Sequence, residues 1–109
     1  MSELFVYMTC SSKEEARDIG TVLVERRLAA CVNIIDSMHS MYWWNGKVET
    51  AEEVVLIAKT RDGLLAELTE AVKVMHSYEV PCVVALPITG GNPEFLGWIR
   101  EETAKYRGN

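Results

Sequence analysis

Positive charge is scarce in this chain: 11 Lys and Arg stand against 16 Asp and Glu, a net charge of −5. Binding along a nucleic-acid backbone requires clustered Lys and Arg to displace counterions, and anionic membranes attract the same clusters. Neither partner is expected. No apolar run approaches the roughly 20 residues that cross a bilayer. The opening Met1-Ser2-Glu3 is acidic where a secretory leader is basic, and Leu4 to Met8 is too short for its apolar segment. The expected location is therefore the cytoplasm. Cysteine is also sparse. Cys10, Cys31 and Cys82 make an odd set without a C-x-x-C pair, which excludes a disulfide framework and fits reduced thiols. Repeats, low-complexity stretches and linkers are missing, so residues 1–109 are expected to form one domain around one core.

Apolar residues are not scarce. They make up 49% of the chain, and 25% is charged, an ordinary globular balance. Leu4 to Met8 is a short run of β-formers that predicts a buried strand. Ser12 and Glu15 stand at capping-box spacing, and Ala16, Ile19, Gly20 and Leu23 then repeat at helical intervals. Cys31 to Trp44 is a long β-type stretch. Val32, Ile34, Met38, Tyr42 and Trp44 share one parity; Ile35, Met41 and Trp43 share the other. Asn45-Gly46 then predicts a tight type I′ hairpin turn, with a return strand over residues 47–60. Asp62 is a candidate cap for a second helix with Leu64, Leu68, Ala71, Val72 and Met75 on its core face. Residues 82–86 predict a strand, at an edge because Pro81 and Pro87 flank it. Asn92 and Pro93 open a third helix with Phe95, Trp98, Ile99 and Glu102 on one face. The order is βαββαβ followed by a helix. With right-handed crossovers this predicts a mixed α/β, ferredoxin-like sandwich with a long central hairpin and an extra C-terminal helix.

The hairpin outgrows such a domain. About 14 residues per arm at roughly 3.3 Å each give about 45 Å, against about 30 Å for a compact domain of this size. Its outer part carries Met38, Met41, Tyr42, Trp43 and Trp44. Leaving these in water forgoes about 1.5–3 kcal/mol for each large side chain, and free strand edges invite aggregation. Association with further copies by inter-subunit strand pairing is therefore expected, with Met41, Tyr42, Trp43 and Trp44 in the interface. The spacing does not choose between two and three copies. The competing arrangement folds the third helix back over the tip.

Four segments carry a resemblance. They are Arg27-Leu28-Ala29-Ala30-Cys31-Val32-Asn33-Ile34, Tyr42-Trp43-Trp44-Asn45-Gly46-Lys47-Val48-Glu49, Lys59-Thr60, and His76-Ser77-Tyr78-Glu79-Val80-Pro81. With Gly91 and Phe95-Leu96-Gly97-Trp98 they resemble, in order, the CutA family of divalent-cation tolerance proteins. The resemblance implies a ferredoxin-like fold and a homotrimer with the outline of the PII signalling proteins. It also implies a role in metal tolerance, with copper bound by some members, and no known reaction. The family's copper donors, a Cys and adjacent His residues, fall on Met8, Met75 and His76. Two thioethers and one imidazole suit Cu(I) better than Cu(II). Ser77 and Cys82 also stand where the family pattern has Pro and Glu.

The resemblance further implies a polar cleft between subunits, lined by Lys59, Tyr78, Glu79 and Glu49, able to hold a cation or a small polar ligand. No cofactor is obligatory; copper or another divalent cation is the candidate. His76 reads either as a ligand or as a cap for the second helix's last carbonyls. Cys10 reads as a small buried hydrophobe rather than a reactive thiol, and His39 as a surface or interface residue. Three functional readings remain. The first is a non-enzymatic metal-responsive trimer. The second is an acid–base enzyme using His76, Tyr78 and Glu79, for which no nucleophile–base pair is identifiable. The third is a PII-like signalling module, which the tight Asn45-Gly46 turn disfavours because it presents no long loop.

Overall fold

The computed structural model describes residues 2–108. Its elements are β1 (Glu3–Cys10), α1 (Lys13–Glu25), β2 (Cys31–Trp44), β3 (Lys47–Arg61), a 3₁₀ turn (Asp62–Leu64), α2 (Leu65–Met75), β4 (Val83–Pro87) and α3 (Pro93–Thr103). The strands form one antiparallel sheet in the order β2-β3-β1-β4, the ferredoxin-like arrangement. Alternation along β1 turns Leu4, Val6, Met8 and Cys10 to the helix side. There they join Ala16, Ile19 and Leu23 of α1 and Leu68 and Val72 of α2 in the core. Gly20 lets α1 approach closely: a Cβ there would meet a methyl of Val32 at 3.0 Å.

The local signals act as expected at three places. Ser12 Oγ accepts the Glu15 N–H at 3.1 Å, and Asn92 Oδ1 accepts the Glu94 N–H at 3.0 Å ahead of Pro93. Asn45 and Gly46 take φ of 51° and 76°, the left-handed pair a type I′ turn requires. Other boundaries differ. Asp62 caps nothing with its side chain and instead accepts the Ser2 N–H at 3.3 Å. Met75 lies outside the core face of α2, and on α3 Ile99 and Thr103 are buried while Phe95 and Trp98 stay largely exposed. The fourth strand starts one residue late, at Val83, and runs through Pro87, which an edge strand tolerates.

A bulge corrects the parity expected for β2. Ile35 pairs with Val55 and Met38 with Glu53, so Asp36 and Ser37 together oppose Val54. Ser37 takes φ of 65° there. The extra residue reverses the alternation: Val32 and Ile34 face the helices, whereas Met38, Tyr42 and Trp44 face the other side of the sheet. Tyr7, on that same side, donates its hydroxyl to Met38 Sδ at 3.3 Å.

Residues 47–53 of β3 run past the end of β1, whose last partner is Val54. At about 3.3 Å per residue the overhang is roughly 23 Å, and the molecule's long dimension is 44 Å. The third helix does not cover it. Arg100 of α3 pairs with Glu3 at 3.0 Å, and Arg61 Nε donates to Thr103 Oγ1 at 3.2 Å, which holds α3 at the opposite end of the sheet. Met41 is therefore left 79% exposed and Trp43 74%. Ile35, Val84 and Leu86 on the side of the sheet away from α1 and α2 are exposed as well.

Candidate metal and ligand site

Three chain segments meet beneath the hairpin: the end of β1, the first turn of α1 and the residues after α2. His76 ends α2 by turning extended, its backbone N–H still bonded to the Val72 carbonyl. Its side chain is fully enclosed. Nδ1 accepts the Tyr78 N–H at 3.0 Å, so the ring proton resides on Nε2, which donates to the Thr9 carbonyl at 2.8 Å. The imidazole thus bridges two elements rather than capping helical carbonyls. Glu15 reaches into the same place. Its Oε1 accepts from Ser11 N–H at 2.9 Å and Ser11 Oγ at 3.0 Å, and its Oε2 from Ser77 N–H at 2.7 Å. Burial pushes its carboxyl up, but these hydrogen bonds outweigh that and hold it below the usual carboxylate range.

Cys10, the last residue of β1, is buried on the helix side of the sheet. Its Sγ, a Glu15 oxygen and a His76 ring nitrogen all lie within 4.8 Å of one another. Burial first, then the charges of Glu15 and Glu53, push the thiol up to about 12, so it is protonated at neutral pH. Cys10 is buried, as expected; of the expected reciprocal cap only the Ser12 half forms, since the Glu15 carboxylate takes the Ser11 N–H rather than that of Ser12, and neither expectation contains the meeting of Cys10 and Glu15 with His76. Met8 and Met75 go elsewhere. Met8 is fully enclosed in the core, paired in register with Leu56 and Val83, and Met75 lies in the outer groove between α1 and α2 with Val22 and Val74.

On the other side of the sheet a cleft of about 450 Å³ is lined by Tyr42, Trp44, Glu53, Tyr78 and Glu79, among others. Tyr78 donates its hydroxyl to Glu53 at 2.8 Å. Its phenol is held well above the usual range by burial, then by the hydrogen bond and charge of Glu53 and the charges of Glu15 and Tyr42. Of the four residues expected in a cleft between subunits, Tyr78 and Glu79 line this cleft of the single chain. Lys59 does not: it lies six positions along β3 from Glu53, on the arm paired with β1, and donates to Asn33 Oδ1. Glu49 lies out on the overhang opposite Tyr42. Beside Glu79 the cleft is lined by a second carboxylate, Glu53, which the alternation of β3 puts on the side opposite Val54 and Leu56.

The family model described as CutA1 divalent ion tolerance protein matches residues 4–102. The chain belongs to the CutA family. The Archaeoglobus fulgidus divalent-cation tolerance protein CutA is 50% identical over 97 residues, 89% of this chain and 94% of that one. The chloroplastic CutA 1 of rice is 48% identical over 100 residues, 92% of this chain; the chain spans 56% of that relative's length. Among solved structures, rice CutA1 superposes with a TM-score of 0.92 at 46% identity, covering 96% of each chain. The Thermus thermophilus divalent cation tolerance protein does so with 0.90 at 48% identity, covering 92% of this chain and 97% of the other. The Archaeoglobus fulgidus and Thermus thermophilus relatives are named for tolerance to divalent cations and not for a reaction. Tyr78 donates its hydroxyl proton to Glu53, and both nitrogens of His76 are engaged, by the Tyr78 N–H and the Thr9 carbonyl.

Proposed function

We propose that the protein acts without catalysing a reaction, as a cytoplasmic homotrimer that responds to divalent metal ions, copper among them. The clefts between its subunits take up the ion or a small polar ligand. The observation that carries this reading is the bare overhang: Met41 and Trp43 are exposed at the end of a hairpin that no other helix or strand among the described residues covers. Further copies supply the missing cover, and a closed ring satisfies the free edges of β2 and β4 that an open pair leaves. The Tyr78–Glu53 cleft lies beside Tyr42 and Trp44 of that hairpin, so a neighbouring chain that covers the hairpin also completes the cleft. The cleft's two carboxylates, Glu53 and Glu79, suit a cation. Three cysteines without a disulfide fit a reducing compartment.

The test has two parts. Light scattering at micromolar concentration should give a mass of three chains; a single well-behaved protomer would remove the clefts and the function with them. Copper titration followed by calorimetry should show uptake that weakens about 10-fold or more in Glu79→Gln, the usual scale for losing a ligand or its support, because Glu79 lines the cleft.

A further inference from the structure

The cluster beneath the hairpin has a chemistry that the inter-subunit clefts do not share. It brings together one thiol, one imidazole and one carboxylate, all from a single chain, with donor atoms within 4.8 Å of one another. Zinc-class ions sit about 2.3 Å from sulfur and about 2.0–2.2 Å from nitrogen and oxygen, which puts tetrahedral donors roughly 3.5 Å apart. Side-chain adjustments of about 1 Å would therefore close these three on an ion without moving the backbone.

The histidine supplies the second, independent observation. Its side chain is fully enclosed, and Nε2 donates to the Thr9 carbonyl at 2.8 Å. A metal-bound imidazole is oriented in this way, the outer N–H given to a carbonyl and the inner nitrogen turned to the ion. Here the inner nitrogen is Nδ1. It lies 3.9 Å from Glu15 Oε1 and accepts one backbone N–H, from Tyr78, a bond worth about 1 kcal/mol that an ion would outweigh. Glu15 is held ionised by Ser11 and Ser77, which fix its position from two sides. Glu15 and Glu53 both act on the thiol, and the field of two carboxylates favours a cation.

We propose that Cys10 Sγ, Glu15 Oε1 and His76 Nδ1 form a three-ligand site, complete within one chain, for a borderline divalent cation of the zinc class, the fourth position being left to water. The site deepens the metal reading above by adding a sulfur donor, and it does not depend on the clefts. Binding forms a metal–sulfur bond and sends the Cys10 proton to solvent; nothing is oxidised or reduced. The Tyr78 N–H is released at the same moment, so occupancy would be transmitted through residues 76–78 to the Tyr78–Glu53 pair in the cleft.

Cobalt(II) is the probe, because its thiolate charge-transfer absorption in the near ultraviolet reports sulfur directly. One equivalent per chain should bind with that absorption, and zinc should displace it. Cys10→Ser should abolish the band. The double variant Cys31→Ser/Cys82→Ser, which keeps Cys10 and needs no change at the site, should retain it in full. Glu15→Gln should weaken binding about 10- to 100-fold. A wild-type complex without the sulfur band, a band that survives Cys10→Ser, or one lost in the double variant overturns the site. Copper uptake by an intact trimer without any cobalt–sulfur band would sink this site and leave the cleft reading. A full band on a chain that scatters as a monomer would do the reverse.

Discussion

Glu15 carries two loads with one carboxylate. It completes the start of α1 through Ser11 and fastens the residues after α2 through Ser77. Its carboxyl titrates lower in the folded chain than in the unfolded one, so the ionised form stabilises the fold above the ordinary carboxylate range. That contribution drains away as the pH falls through the depressed value. Glu15→Gln should cost about 1–2 kcal/mol at neutral pH, the scale of a lost cap and its charge-assisted bonds. Urea unfolding between pH 3 and 7 should show wild type and variant converging at the acid end; a constant gap would mean that the charge of Glu15 contributes nothing. Half of this was legible in the sequence. Ser12 and Glu15 are three apart, which announces the cap by the Ser12 hydroxyl, although the Glu15 carboxylate goes to the Ser11 N–H one residue earlier. The bond to Ser77 spans 62 positions, and no spacing rule reaches that far.

The hairpin shows the same division within one element. Its turn is written in Asn45-Gly46, because few residue pairs accept two left-handed conformations in succession. Its bulge is not written so plainly. Asp36-Ser37 is polar in an otherwise β-rich run, but nothing local says that Ser37 will go left-handed, and one misplaced residue sends Met38, Tyr42 and Trp44 to the wrong side of the sheet. Glu53 keeps its side by the unbroken alternation of β3, and the bulge is what brings Tyr42 and Trp44 to the cleft beside it. Ser37→Gly should be tolerated within about 0.5 kcal/mol, since glycine adopts this φ freely and loses only chain entropy. Ser37→Val should cost about 1–3 kcal/mol, because a β-branched side chain is strained at φ of 65°. Denaturant midpoints check both. Equal losses in the two variants would show that the serine side chain, and not its backbone conformation, is what the bulge needs.

The whole molecule is an unfinished surface. Its sheet has helices against one side, its third helix is spent at the end farthest from the hairpin tip, and its aromatic ribbon projects roughly 23 Å past the end of β1 at about 3.3 Å per residue. The size mismatch between ribbon and domain was legible by counting residues. The place of α3 was not, since Arg61 to Thr103 and Arg100 to Glu3 are long-range contacts between common surface residues. That placement is what makes assembly necessary in the proposed reading, and it separates two kinds of mutation. Trp43 touches little in its own chain, being 74% exposed, so Trp43→Glu should leave the isolated fold almost unchanged, within about 0.5 kcal/mol for an exposed site. In the assembly the same change would bury a charge in each interface at a cost of several kcal/mol per copy. Trp43→Glu should therefore reduce the mass seen by light scattering toward one chain while the circular dichroism keeps its shape. A Trp43→Glu protein that scatters like wild type would place the interface elsewhere than on the ribbon.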